Sequence, residues 1–115
     1  NLQFNSKKMG NFLIKELKKL KSKFPIIGDV RGIGLFLGVE IITDIQTKEP
    51  GTLEAEYICN RLREKRILVG LEGPYDNVIK IRPPLCVDHN DINTFLKLFS
   101  YILEETFLKT VPETH

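Results

Sequence analysis

Residues 77–85 read NVIKIRPPL, a short β-rich run that ends in two prolines. Lys80 and Arg82 are two residues apart, so a strand would place both cations on the same face. Pro83 and Pro84 end the predicted strand because neither has an N–H group to donate to a neighbour. Two cations at a strand end can hold an anion, Arg82 through paired hydrogen bonds and Lys80 as a point charge. The alternative is a pair of solvated cations without a ligand, which is the more common role on a protein surface.

The neighbouring segments predict three further strands. Residues 67–71 predict one strand, and the turn residues 72–76 return the chain antiparallel to the strand just described. Upstream, the β-rich runs 26–31 and 34–42 flank Gly32-Ile33, which predicts a type II′ hairpin turn with glycine first. The second of these two runs is apolar on both faces, so we expect it to be a central strand that is well covered.

Apolar residues at helical spacing predict three helices. In chain order, the residues that bound them are Asn5 or Ser6 and Pro25, then Thr52 and Lys65, then Asp88 and Pro112. Short polar side chains accept hydrogen bonds from the free N–H groups of a helix start, and proline interrupts a helix. The resulting order is α-ββ-α-ββ-α, which predicts an α+β fold with a small antiparallel sheet covered by helices.

The composition indicates one packed domain that spans residues 1–115. The chain has 115 residues, 42% of them hydrophobic, and a net charge of +2. Seven lysines and one glutamate lie in residues 1–23, so the first helix is strongly basic. A basic helix can contact nucleic acid or a membrane surface, but a solvated helix face is the simpler interpretation. No apolar run approaches the length of a membrane span, which needs about 18 residues.

The sequence gives no support for a self-contained catalytic or metal site. His89 and His115 have no partner that would form a nucleophilic triad, and no Cys or His pair has the spacing of metal ligands. Gly32 and Gly34 lead into a strand rather than a helix, so they do not form a dinucleotide-binding loop. Cys59 and Cys86 lie in apolar surroundings, which predicts two buried free thiols in a reducing, intracellular compartment.

Two further features concern Arg31 and the start of the chain. Arg31 is flanked by apolar residues, so we expect a salt bridge within the domain or to another domain. The first residues, 1–4, have no apolar segment typical of a signal peptide. The chain lacks an initiator methionine and opens almost directly into a helix, which predicts a piece of a longer protein.

Residues 27–40, IGDVRGIGLFLGVE, resemble the VRGxGLxxGxE segment of class III aminotransferases. These are pyridoxal-phosphate enzymes of fold type I. Residues 66–69 and 77–85 follow in the order found in the C-terminal small domain of that family, and the helix from Asp88 resembles its last helix. The resemblance covers about residues 5–108. The sequence NVIKIRPPLC, residues 77–86, is similar to the corresponding segment of the alanine–glyoxylate aminotransferase 2-like branch. That branch includes ethanolamine-phosphate and 5-phosphohydroxylysine phospho-lyases.

The resemblance implies a C-terminal small domain, and we expect a loose tail at residues 109–115, since Pro112 ends the last helix. Such a domain helps to close the active site and is inactive alone, because the catalytic lysine and the pyridoxal 5'-phosphate site belong to a large domain. Lys80 stands where many relatives carry an arginine that binds the substrate carboxylate. The resemblance therefore makes Lys80 the candidate substrate contact and fits a substrate that carries a phosphate, while it assigns no role to Arg82.

The implied partners are the large domain of the same chain, a second copy in a homodimer, and a small amino or phosphate substrate, in the cytoplasm or mitochondrion. Neither nucleic acid nor a membrane is among them. One alternative is a self-contained nucleic-acid or anion-binding α+β module, although no strand carries the aromatic pair and no helix follows the Gly-rich clamp of common RNA-binding domains. A purely structural or dimer-contact role is the other alternative.

Overall fold

The structure is a computed structural model that describes residues 2–33, 36–67, 69–82 and 88–110, with side chains for 7–32, 36–67, 69–82 and 88–106. The elements are, in chain order, α1 (Leu2–Lys23), β1 (Ile27–Ile33), β2 (Phe36–Ile41), α2 (Thr52–Glu64), β3 (Val69–Glu72), β4 (Val78–Ile81) and α3 (His89–Thr110). This order confirms the predicted α-ββ-α-ββ-α arrangement. Residues 83–87 and 111–115, which include the paired prolines, Cys86, Pro112 and His115, lie outside the described ranges, and residues 109–110 of the predicted tail belong to α3.

One antiparallel sheet contains the four strands in the order β1-β2-β4-β3. β2 pairs with both β1 and β4, which confirms that it is a central strand. β3 pairs antiparallel with β4, as the turn between them predicts. The pairing of β1 with β2 is irregular between Ile27 and Asp29, where a bulge shifts the register.

All three helices contribute side chains to one core with one face of the sheet. Alternate residues of β2 and β4, such as Val39 and Ile79, point into this core and are fully buried. Leu17 of α1, Ile58 of α2 and Phe99 of α3 cover them. The opposite face carries charged side chains and is not covered by a helix in the described part of the chain. The expectation that β2 is covered on both sides is therefore wrong, because Phe36 and Glu40 are partly exposed there. We call this second side the open face.

Two predicted helix caps differ from the structure, and one is confirmed. α1 already begins at Leu2, so Asn5 and Ser6 lie inside the helix and do not cap it. α2 begins at Thr52, so Gly51 holds its cap position, and the hydroxyl of Thr52 donates a hydrogen bond to the carbonyl of Tyr75 at 2.6 Å.

The confirmed cap is at the start of α3. The N–H of Asp91 donates to Asp88 Oδ1 at 2.8 Å, and the N–H of Asp88 donates back to Asp91 Oδ2 at 3.2 Å. These reciprocal bonds satisfy donors that a helix start leaves free, and the negative charge of Asp91 also favours this end of the helix dipole.

The predicted hairpin turn at Gly32-Ile33 is wrong. Gly32 and Ile33 belong to β1 and pair with Leu37 and Phe36 of β2, so the connection falls on residues 34–35, outside the described ranges. The structure gives another reason for the glycine. A Cβ atom at position 32 would lie only 3.0 Å from Ile14 Cδ1, so the missing side chain allows α1 to approach the strand closely.

An ion-pair cluster joins α2 to α3 on the helical side of the molecule. The guanidinium of Arg61 lies 3.0 Å from Glu105 Oε1 of α3 and 2.7 Å from Glu64 Oε2 of its own helix. The hydrogen bonds with Glu105 and then Glu64 raise the pKa of Arg61 above its ordinary value, so the cation persists throughout the range of protein stability. In the ranges that the structure describes, no helix is both long and apolar enough to span a membrane.

Asn77 fixes the entry of the chain into β4, and its replacement by alanine should destabilise the fold. The residue is 3% exposed, and its side-chain Nδ2 group donates to the backbone carbonyl of Ile41 at 2.9 Å. The backbone carbonyl of Asn77 accepts from the Ile41 N–H at 2.8 Å. We expect Asn77→Ala to lower the free energy of unfolding by about 1–2 kcal/mol, because a buried side-chain hydrogen bond is lost.

Urea unfolding followed by far-UV circular dichroism measures this change. Thr94→Ala is the control, since the Thr94 hydroxyl also donates to a backbone carbonyl, at 2.9 Å, but in an exposed position. That substitution should change the free energy of unfolding by no more than about 0.5 kcal/mol. Equal effects of the two substitutions would contradict the role given to Asn77.

Candidate functional site

Lys80 lies on the open face with a glycine on each side of it in the sheet. It pairs with Gly38 of β2 and with Gly70 of β3. Neither neighbour has a side chain, and a Cβ atom added to Gly70 would meet no other heavy atom within 4 Å. The lysine side chain therefore has glycine backbone on both sides of it, which we call the glycine floor.

The two cations predicted to share a face do so, above one aromatic ring. Lys80 Nζ lies 4.0 Å from the centroid of the Phe36 ring, and Arg82 Cζ lies 4.8 Å from the same centroid. A ring face attracts cations electrostatically, so Phe36 helps to position both groups. The sequence does not point to Phe36, since only the register of β2 against β4 brings position 36 beside position 82.

Glu72 is the second residue that the sequence did not reveal. It was expected in a turn, but it is the last residue of β3, and its Oε1 atom lies 2.7 Å from Lys80 Nζ. Both partners are partly exposed, with 32% of the Lys80 side chain and 47% of the Glu72 side chain accessible. Lys80 is thus neutralised within the domain. In contrast, no carboxylate of the described ranges lies within salt-bridge distance of Arg82, which is exposed.

Arg31 occupies the neighbouring position on the open face and makes the predicted salt bridge within the domain. Its Nη1 atom lies 2.9 Å from Asp29 Oδ2 and 3.7 Å from Glu40 Oε1. Partial burial opposes ionisation of Asp29, but hydrogen bonds from Arg31 and from the Val30 backbone outweigh it and lower the pKa of Asp29. Arg31 is therefore held by carboxylates of its own domain.

The other candidate residues, His89 and Cys59, pack against other parts of the domain. His89 starts α3 and packs edge-on against Phe12, with ring centroids 4.6 Å apart. Cys59 is free and completely buried, which confirms the predicted buried thiol at this position, and the burial raises the pKa of the thiol. No cluster of possible metal ligands occurs among the described residues.

The lysines of the basic first helix are all solvent-exposed, as the solvated-face interpretation predicts. One of them, Lys19, pairs with Glu16 at 2.8 Å. On the open face, by contrast, two cations share one aromatic ring.

Comparison with known proteins identifies the family of this chain and two of its relatives. The family model described as aminotransferase class III matches residues 1–103. The chain is 41% identical over 96 residues to alanine–glyoxylate aminotransferase 2-like of Drosophila melanogaster, which covers 83% of this chain and 19% of the relative. It is also 41% identical over 93 residues to ethanolamine-phosphate phospho-lyase homolog 1 of Caenorhabditis elegans, covering 80% of this chain and 20% of the relative.

A solved structure agrees with these relatives. A phospholyase from Arthrobacter in complex with phosphoethanolamine superposes with a TM-score of 0.81 and 29% identity, over 90% of this chain and 24% of that one. The chain thus spans about a fifth of the length of the curated relatives it matches.

Proposed function

The chain belongs to the class III aminotransferase family, and on this basis we propose that it is the C-terminal small domain of a pyridoxal-phosphate-dependent phospho-lyase or aminotransferase. The observation that carries this proposal is the open face, where Lys80 and Arg82 lie over Phe36 beside a glycine floor. An anionic substrate group can approach these cations. In this role the domain supplies one wall of the active site and an anchor for the substrate.

The described residues do not fit a pyridoxal 5'-phosphate site by themselves. A lysine that forms a Schiff base is activated by desolvation or by a second cation. Every lysine with a described side chain is exposed except Lys80, which is paired with Glu72. We therefore place the cofactor, which acts as an electron sink when bound, in another part of the full-length protein.

Lys80 contributes to the reaction by binding and orientation. Its ammonium group can donate hydrogen bonds to a phosphate or carboxylate oxygen, and its position in a central strand limits the movement of its backbone. The Arthrobacter phospholyase was solved in complex with phosphoethanolamine, which supports ethanolamine phosphate as the substrate. Phosphohydroxylysine is the other phosphorylated candidate, and it rests on the sequence resemblance. An ordinary transamination remains the second candidate, supported by the alanine–glyoxylate aminotransferase 2-like relative.

The partners in this proposal are a large domain of the same chain and a second copy of the protein in a homodimer. The charged open face is the side that the helices leave uncovered, which makes it the surface for an active site shared with other parts of the protein. The free, buried thiol of Cys59 supports an intracellular location, in the cytoplasm or the mitochondrion.

Purification of the full-length protein that contains these residues tests the proposal. We expect bound pyridoxal 5'-phosphate, detected by visible absorbance and by release of the cofactor in alkali. With ethanolamine phosphate or phosphohydroxylysine, a lyase releases phosphate and ammonia without a 2-oxo acid. A transaminase instead requires an acceptor such as glyoxylate. A purified protein that binds no pyridoxal 5'-phosphate after reconstitution would contradict both forms of the proposal.

A further inference from the structure

We propose that Glu72 is an internal counter-ion of Lys80, and that a doubly charged phosphate group displaces it when the group binds at Lys80 and Arg82. This inference rests on the proposed function and adds a residue that controls how tightly the site holds its ligand. The ligand is the phosphoryl group of a substrate or the inorganic phosphate that such a substrate releases.

The combined charge of Lys80 and Arg82 favours a dianion. The ring of Phe36 holds the charged groups of Lys80 and Arg82 at 4.0 and 4.8 Å from its centroid. Once Glu72 moves away, neither cation has a carboxylate partner among the described residues. A phosphate dianion matches this double charge, and a guanidinium beside an ammonium supplies donors for several of its oxygens.

The ion pair between Lys80 and Glu72 can separate at a low cost in free energy. Its atoms are 2.7 Å apart, but both side chains are partly accessible to water. Exposed ion pairs contribute little net stability, since water solvates the separated charges well. Glu72 is also the last residue of β3, so its side chain can turn towards solvent without disturbing the paired strands.

Competition by Glu72 lowers the affinity of the site for anions. An anion that binds must displace the carboxylate, which weakens the apparent affinity for the anion. When phosphate leaves, Glu72 returns to Lys80 and prevents immediate rebinding. The same carboxylate therefore keeps the affinity for the reaction's anionic product low.

Equilibrium binding of inorganic phosphate to the full-length holoenzyme tests this proposal. We expect Glu72→Gln to lower the Kd for phosphate about two- to fivefold, the range that corresponds to loss of an exposed ion pair. Isothermal titration calorimetry measures this Kd directly. Glu64→Gln is the matched control, since Glu64 also forms a 2.7 Å ion pair and is exposed, but its partner is Arg61 on the helical side. That variant should leave the Kd unchanged.

A double-mutant comparison gives the proposal its sharpest test. In a Lys80→Met background, Glu72→Gln should no longer tighten phosphate binding, because the cation for which the two anions compete is absent. A Kd that Glu72→Gln leaves unchanged, or raises, would overturn the proposal. So would equal tightening in the presence and absence of Lys80. These outcomes are separable from the proposed function, which is judged by bound cofactor and turnover rather than by the response of the phosphate Kd to Glu72.

Discussion

Replacing Lys80 by methionine in the full-length protein should raise the KM for a phosphorylated amine substrate by about 10- to 150-fold. Loss of a hydrogen bond to a charged group costs about 1.5–3 kcal/mol, and about 1.4 kcal/mol corresponds to each factor of ten in KM. Methionine has nearly the length of lysine but no charge, so the change removes the ammonium group and little volume. Steady-state kinetics with ethanolamine phosphate measure the effect.

The same substitution should leave the domain folded. Among the described residues, Lys80 forms an ion pair with Glu72 alone, and both are partly exposed, so loss of the pair should cost no more than about 1 kcal/mol of stability. Lys97→Met is the control, because Lys97 is an exposed lysine on α3, on the helical side of the molecule. An unchanged KM for Lys80→Met would instead favour a purely structural or dimer-contact role for this domain.

Phe99→Ala should lower the free energy of unfolding by about 3–5 kcal/mol, as is typical of removing a buried aromatic side chain. Phe99 is completely buried in the middle of α3 and stacks on Phe95, with ring centroids 5.5 Å apart. Truncation leaves a cavity beneath the helix and removes contacts with the core. The loss is a large fraction of the total stability of a small domain, which is about 5–15 kcal/mol.

Tyr101→Ala on the same helix provides the comparison for Phe99. Tyr101 is 58% exposed, so its removal should change the free energy of unfolding by no more than about 0.5 kcal/mol. The chain contains no tryptophan, and far-UV circular dichroism during urea unfolding is therefore the suitable signal. Similar losses for both variants would contradict the central place of Phe99 in the core.

Local patterns in the sequence were sufficient to predict the elements and their order. The apolar spacing of α3 and the carboxylate of Asp88 before it depend only on residues within one helix, and both predictions are confirmed. The turn at Gly32-Ile33 was misplaced because a glycine has two uses that look alike in sequence. One is a turn, and the other is close packing, here against Ile14 of α1.

For the candidate site too, the sequence was sufficient only for features that lie within one strand. The shared orientation of Lys80 and Arg82 follows from their spacing in one strand. The roles of Phe36 and Glu72 depend on strand register, which pairs Gly38 and Gly70 with Lys80 across the sheet. A side chain eight residues from Lys80 in sequence, or more than forty, gives no local sign of this proximity.

The irregular pairing near the start of β1 has a consequence for the solubility of the domain. A free sheet edge with regular spacing is a template onto which a strand of another molecule can add. The two edges here are unsuited to such growth: β3 has only four residues, and β1 is interrupted between Ile27 and Asp29 and bears an ion pair at Asp29 and Arg31. Bulges, charges and short length are devices by which native sheets resist edge-to-edge association. The edge strands β1 and β3 of the sheet that forms the open face thus also limit the addition of a strand from a second molecule.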